Sequence, residues 1–290
     1  WTHLLAGDDL VGPVSRFAVP VPPGADPDSL GTKGSFIDGI ENFDPVFFGI
    51  SGLEATYMDP QQRLFLEEAW KTLEHAGHAG EAIRGARVGV FAGCSSGDYD
   101  RLFGPDVPGQ AFWGNTSSLV PARIAYFLDL KGPAVAVDTA CSSSLVAVHL
   151  ACRSLWDGET DMALAGGVFV QCSDRFFRSA NQATMLSPSG TCAAFGAKAD
   201  GIVPGEAVAA VLLRPLSAAL ADGDTIHGVI VGSGLNQDGT TNGITAPSAQ
   251  SQERLMREVL AESALDPASI DVGEAHGTGT PLGDPIEHAA

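Results

Sequence analysis

Two short runs carry residue types able to do nucleophilic chemistry. In Asp138-Thr-Ala-Cys141-Ser-Ser-Ser-Leu145 a cysteine stands between an apolar run, 133–138, that reads as a buried strand and another, 142–156, that reads as a helix. The N–H groups and dipole at the start of a helix favour a thiolate over a thiol. The same N–H groups can hold an oxyanion when a thioester is attacked. Three serines after the cysteine let the chain turn and leave room for a substrate. In Glu274-Ala-His276-Gly-Thr-Gly-Thr280 a histidine ends a second apolar run and is followed by two glycines, which permit close approach or a positive φ. An imidazole there can polarise a carbonyl or shuttle a proton. Blander readings stand beside both runs: an inert buried thiol in a tight turn, and a loop histidine satisfied by backbone groups. Taken together, a cysteine nucleophile and a distant histidine at a loop end are the layout of an acyl-transfer enzyme. A serine-hydrolase elbow, a phosphate-binding loop and a dinucleotide fingerprint are all missing.

The elements that must position these residues follow from the periodicity. Residues 12–35, rich in Pro, Gly and Asp, read as irregular surface chain. Asp59 and Pro60 mark a helix start and Gly77 its end, with Leu66, Trp70, Leu73 and Ala76 on one face. Strands are expected at 87–93, 133–138, 161–167, 207–213, 225–232 and 270–275. Further helices are expected at 116–130, at 142–156, which has so little polar surface that it reads as interior, and after Ser248. Short strands alternating with helices predict an α/β fold with buried sheets.

The chain has 290 residues, 44% of them hydrophobic, and a formal charge of −19. Such acidity argues against nucleic-acid binding, and an acidic partner would need a local basic patch, for which Arg84 with Arg87, or Arg175 with Arg178, are the candidates. Five cysteines without paired spacing fit free thiols in a reducing cytosol, hence a cytoplasmic protein. Cys94, Cys152, Cys172 and Cys192 lack the corner setting and read as buried and unreactive. His75 and His78 lack a third ligand, His149 reads as a hydrogen-bonded core residue, and no metal or cofactor site is expected.

The cysteine run resembles the nucleophile motif of the β-ketoacyl synthases, and Glu274–Thr280 resembles their first histidine motif. Met58-Asp-Pro-Gln-Gln-Arg63, Asn236-Gln-Asp-Gly239 and Gly283-Asp-Pro-Ile-Glu287 are similar to segments of the modular type I polyketide branch. Gly31–Asp38 and 115–118 lean toward systems whose acyltransferase is a separate protein. The resemblance implies a thiolase-like fold of layered αβαβα type with two similar halves. Residues 1–35 would be the irregular N-terminal segment, 36–195 the half bearing the nucleophile, and 196–290 the start of the second half. It implies that Cys141 and His276 are catalytic. Cys141 accepts an acyl chain from the phosphopantetheine arm of an acyl carrier protein, then condenses it with a malonyl-type extender. His276 polarises the extender carbonyl and the Cys141 N–H forms part of the oxyanion hole. The implied partners are the acyl carrier protein, an acyltransferase in cis or trans, and a second copy in a homodimer. No cofactor is implied.

The family's second histidine motif, Lys-Ser-x-x-Gly-His, does not occur, and His288 does not match it. The chain is therefore expected to be a ketosynthase domain incomplete at both ends, with an incomplete active site and poor solubility on its own. Phe195-Gly196 and Gly205-Glu206-Ala207 depart from the usual Phe-Asp and Gly-Glu-Gly. The alternatives are a non-catalytic ketosynthase-like partner that binds carriers or sets chain length, which Cys141 argues against, and a degradative thiolase, which the segments at Met58 and Asn236 argue against.

Overall fold

Asp59 starts the first long helix, Pro60–His75 (α1): its carboxylate accepts the Gln61 N–H at 2.8 Å, and Pro60 occupies a position where no N–H is needed. Phe65, Leu66, Ala69 and Leu73 then recur on one buried face. That face packs on a four-stranded sheet. The computed structural model describes residues 1–290 and divides them into two compact units. One is Ile37–Ser173 with Glu206–Ser233; the other is Trp1–Phe36, Asp174–Gly205 and Gly234–Ala290.

The sheet lies wholly in the first unit. Its strands are Val88–Gly93 (β1), Ala134–Val137 (β2), Met162–Phe169 (β3) and Ala207–Leu213 (β4), in the order β2-β1-β3-β4. β1 pairs in parallel with β2 and β3, and β4 closes the far edge antiparallel to β3. Helices α1 and Leu119–Phe127 (α2) cover one face; Ser143–Trp156 (α3) covers the other. Alternation along the strands divides the core accordingly. Val88, Val90, Ala92 and Leu164 join Phe65, Leu73 and Ile124 on the α1 side. Phe91, Ala163 and Ala165 join Ala147 and Ala151 under α3. A fully buried Leu, Ile or Phe contributes roughly 1.5–3 kcal/mol. The strand ends of this doubly covered sheet are therefore a fixed frame for whatever stands on them.

The second unit is built differently. Its only strand pairing beyond isolated bridges is a two-residue one, Gly12–Pro13 with Lys33–Gly34. Its apolar cluster is Phe177, Ala180 and Leu186 with Phe17 and Phe36 packed against them. Phe177 and Ala180 come from helix Arg175–Gln182 (α4). Ala249–Glu262 (α5) starts at Ser248, whose hydroxyl accepts the Ser251 N–H. Gly283–Ala289 (α6) ends the chain.

Four expectations need correction. Residues 225–232 and 270–275 are not strands. A strand exists only with a neighbour to supply its ladder, and the exposure of Val231 and Val272 shows that no segment of this chain lies over them. Helix α3 is buried on one side only: Ala147 and Ala151 face the sheet while Leu145 stands in solvent. Cys192 is exposed; Cys94, Cys152 and Cys172 are buried as expected. Arg84, Arg87 and Arg178 form no basic patch, because each is paired with a carboxylate, Glu81, Asp161 and Asp174 respectively. No helix is long and apolar enough to cross a membrane.

Candidate active site

Cys141 sits where strand β2 hands over to α3. A single 3-10 turn, Ala140–Ser142, runs directly into the helix, so the cysteine precedes its first turn and its side chain is exposed. Glycines at the end of β1 and near the end of β3 bring the helix this close. A Cβ on Gly93 would come within 2.5 Å of the Ser143 carbonyl carbon and the Ser144 nitrogen. One on Gly167 would meet the Ser144 Cβ at 2.8 Å. Real Cβ atoms do not approach so near, so glycine is needed at the last residue of β1 and at Gly167 near the end of β3 for α3 to begin on top of them.

Hydroxyls and a carboxylate then fix the turn. Ser143 Oγ accepts the Thr139 N–H at 2.8 Å and donates to the Ala140 carbonyl at 2.7 Å. Ser142 Oγ donates to the Thr139 carbonyl, and Asp138 accepts the Ala140 N–H at 3.1 Å. They hold Ala140 at φ 57°, a left-handed conformation that an alanine adopts only when its surroundings demand it. The serines are thus more than space: two of them lock the corner that aims Cys141.

The other thiol near this corner differs in kind. Cys94 follows Gly93 and is buried, and its N–H bonds the Val137 carbonyl. Burial pushes its thiol up to about 11, with the charges of Asp138 and Asp59 adding to the effect. It stays a thiol at neutral pH and is no nucleophile. Asp59, also buried, is pushed up to about 6, chiefly by desolvation, against the pull of the Gln61 N–H and with further upward pressure from Asp98.

His276 lies in the second unit, on an exposed loop whose backbone is held by acids. Glu287 accepts the His276 N–H at 2.5 Å and the Gly277 N–H at 2.8 Å. Asp284, almost wholly buried in the first turn of α6, accepts the Gly279 N–H at 3.1 Å and the Thr280 N–H at 3.3 Å through one oxygen. Its other oxygen takes the Phe195 N–H at 2.6 Å. The Gly201 N–H donates to the Gly279 carbonyl. Gly277 and Gly279 have φ of 51° and 71°, which is why glycines alternate with threonines here. Sequence reasoning missed Asp284 and Glu287 as the clamps of this loop. The available signal was two carboxylates three apart, shortly after a glycine-rich loop rich in unpaired N–H groups.

Three other histidines are accounted for locally. His149 bonds Ser233 through Nδ1 and is half-buried; burial lowers its tendency to protonate, and Arg153 adds to this. His75 stacks on His227. No group of three or more His, Cys, Asp or Glu side chains is placed to hold a metal ion.

Comparison with known proteins adds the context. The family model described as "Beta-ketoacyl synthase, N-terminal domain" matches residues 1–219, and "Beta-ketoacyl synthase, C-terminal domain" matches 227–290. The chain is 50% identical over 254 residues to polyketide synthase PksM of Bacillus subtilis, covering 88% of this chain and 6% of that protein. It is 48% identical over 272 residues to erythronolide synthase EryA2 of Saccharopolyspora erythraea, covering 91% of this chain and 8% of that one. Among solved structures, a ketosynthase from module 6 of the bacillaene synthase of Bacillus subtilis aligns over the whole chain with TM-score 0.91 and 44% identity. An oxazolomycin ketosynthase domain of Streptomyces albus aligns with TM-score 0.90 and 37% identity. The chain spans about half the length of these solved ketosynthases, 50% and 51%, and a small part of the curated synthases it matches.

Proposed function

The chain belongs to the β-ketoacyl synthase family and has its thiolase-like α/β fold, and from that premise we propose that it carries the condensing chemistry of a modular polyketide synthase. The observation that carries this reading is the Cys141 corner: an exposed thiol stapled at the start of a helix that two strand glycines, Gly93 and Gly167, bring onto the sheet. In the first step the Cys141 thiolate attacks the carbonyl of an acyl thioester. The new sulfur–carbon bond forms as the carbon–sulfur bond to the phosphopantetheine thiol breaks, and that thiol leaves with the proton. Backbone N–H groups of the corner, that of Cys141 included, supply oxyanion stabilisation. In the second step a malonyl-type thioester loses carbon dioxide, and the resulting enolate carbon attacks the acyl–Cys141 carbonyl. The Cys141 thiolate departs, leaving a β-ketoacyl thioester on the carrier. His276 polarises the extender carbonyl while the enolate forms.

The acyl carrier protein is the partner this reading requires, with the acyltransferase in cis or trans, a cytoplasmic location, and no cofactor beyond the carrier's arm. The unpaired outer edge of β2 supports a homodimer in which a second copy extends the sheet. The intact thiol favours catalysis over a non-catalytic carrier-binding role.

The test is to offer the full-length protein an acyl-carrier thioester and weigh the product. One acyl mass on Cys141, abolished by Cys141→Ala, is the expected result. Acylation at another cysteine, or none, would overturn the reading.

A further inference from the structure

We propose that Phe195 is the positioning residue of the His276 loop, an inference that rests on the role given to His276 above. Phe195 has φ 56°, in the left-handed region that glycine and asparagine tolerate and a bulky aromatic avoids. Such strain persists only where the surroundings over-determine it, and its usual place is a functional site. Nor is the ring there to fill a core, since Phe195 is 47% exposed. The fold therefore keeps a phenylalanine where a glycine would be conformationally easier, and the surroundings indicate why.

The Phe195 backbone and the histidine loop share one buried carboxylate. Asp284 takes the Phe195 N–H on one oxygen and the Gly279 and Thr280 N–H groups on the other. With its amide tied there, the strained φ turns the ring onto the residue that follows the histidine: a Cβ on Gly277 would lie 3.3 Å from Phe195 Cε2. Three residues earlier the Cys192 thiol donates to the Gly277 carbonyl at 3.7 Å. Gly277 thus faces a ring that leaves little room for a side chain and is held at its carbonyl, while Glu287 holds its N–H and that of His276. A glycine held at its N–H and its carbonyl, next to a histidine held at its own N–H, leaves the imidazole little freedom of approach. The segment 192–195 acts as the wall and α6 as the clamp.

The experiment separates the two half-reactions in the full-length protein. Phe195→Gly keeps the backbone conformation and deletes the ring; Phe195→Asn tolerates the same φ; Phe195→Tyr keeps the ring. For the Gly and Asn variants kcat for extender decarboxylation and condensation should fall about ten-fold or more with KM little changed, the cost of a reacting group displaced by an ångström or so. Acyl transfer to Cys141 should fall far less, hydrogen exchange at Gly277–Thr280 should quicken, and Phe195→Tyr should restore the rate. Condensation at the parent rate in Phe195→Gly would overturn the proposal. So would loading and condensation falling in parallel, which marks a merely structural residue. Failure of the parent protein to acylate Cys141 or to condense would instead overturn the functional reading, and this inference with it.

Discussion

The cysteine corner and the histidine loop are held by opposite means. Around Cys141 the determinant is steric: two apolar strands buried between helices carry a glycine at or near their ends, and the helix starts where the missing side chains let it. Around His276 no strand contributes; the loop hangs by its N–H groups from two carboxylates of one short helix. A nucleophile placed by packing resists local change until the packing fails. A histidine placed by hydrogen bonds can be loosened without touching a core. The pair therefore separates a change that removes the fold from one that removes only aim.

Gly93→Ala tests the steric half and should have the largest effect. The new methyl meets backbone, not a flexible side-chain tip, so α3 must lift from the sheet. Overpacking of this kind costs about 1–3 kcal/mol, and the upper end is expected because backbone, not a side chain, has to move. Chemical denaturation should show the loss, and acylation of Cys141 should fall with it. A stable Gly93→Ala protein that still loads acyl groups would show that the corner does not depend on the close approach.

Asp284→Ala tests the other half. Three backbone N–H groups lose a buried acceptor. The Cys141 corner has no part in this network. Condensation is expected to drop by about ten- to a hundred-fold as the loop loses its aim, with acylation of Cys141, read by mass, far less affected. Equal loss of both reactions would erase the distinction between the two regions.

How much of this was legible in the residues follows the same division. β1 to β4 and α1 to α3 were readable because a doubly covered sheet writes itself as apolar runs, and a capped helix as Asp59-Pro60. The nucleophile and the histidine stood out by type. The clamps did not, since a carboxylate that binds backbone N–H groups leaves no pattern in its partners: Glu287 serves His276 whatever residue follows it. Residues 225–232 and 270–275 carried the apolar content of strands without a partner strand in this chain, and content alone forms no ladder. Nor did anything in the run around Phe195 announce a left-handed aromatic.

Asp59 offers a smaller test, on stability rather than rate. Its carboxyl is raised to about 6 in the fold against 3.8 for the free group. The folded state thus holds the proton more tightly. Its contribution is fully present below about pH 4 and is lost as pH rises toward 6, by an amount on the order of 2–3 kcal/mol. Asn at this position keeps a helix-capping oxygen and cannot ionise. The difference in unfolding free energy between Asp59→Asn and the parent should therefore move in the variant's favour between pH 4 and pH 7.5. A difference that stays flat across that range would mean that Asp59 is not desolvated as its position requires.

The smallest effect should come from Ser143→Ala, and it bears most directly on the steric reading. Ser143 is buried, and its hydroxyl is the one group that both accepts from Thr139 and donates to Ala140 across the turn before Cys141. Without it the Thr139 N–H and the Ala140 carbonyl lose a partner, at about 1–2 kcal/mol, and the strained φ of Ala140 loses one of its restraints. If glycine packing sets the corner and the hydroxyl only trims it, the variant should unfold slightly earlier and acylate Cys141 within a few-fold of the parent rate. Pairing the change with Ala140→Gly discriminates further. Glycine accepts φ 57° without cost, so it should recover part of the acylation rate if strain at Ala140 is what the serine restrains. A hundred-fold loss in Ser143→Ala with normal stability would reverse the ranking. The nucleophile too would then be aimed by a hydrogen bond, and the contrast between the two regions would reduce to one of burial.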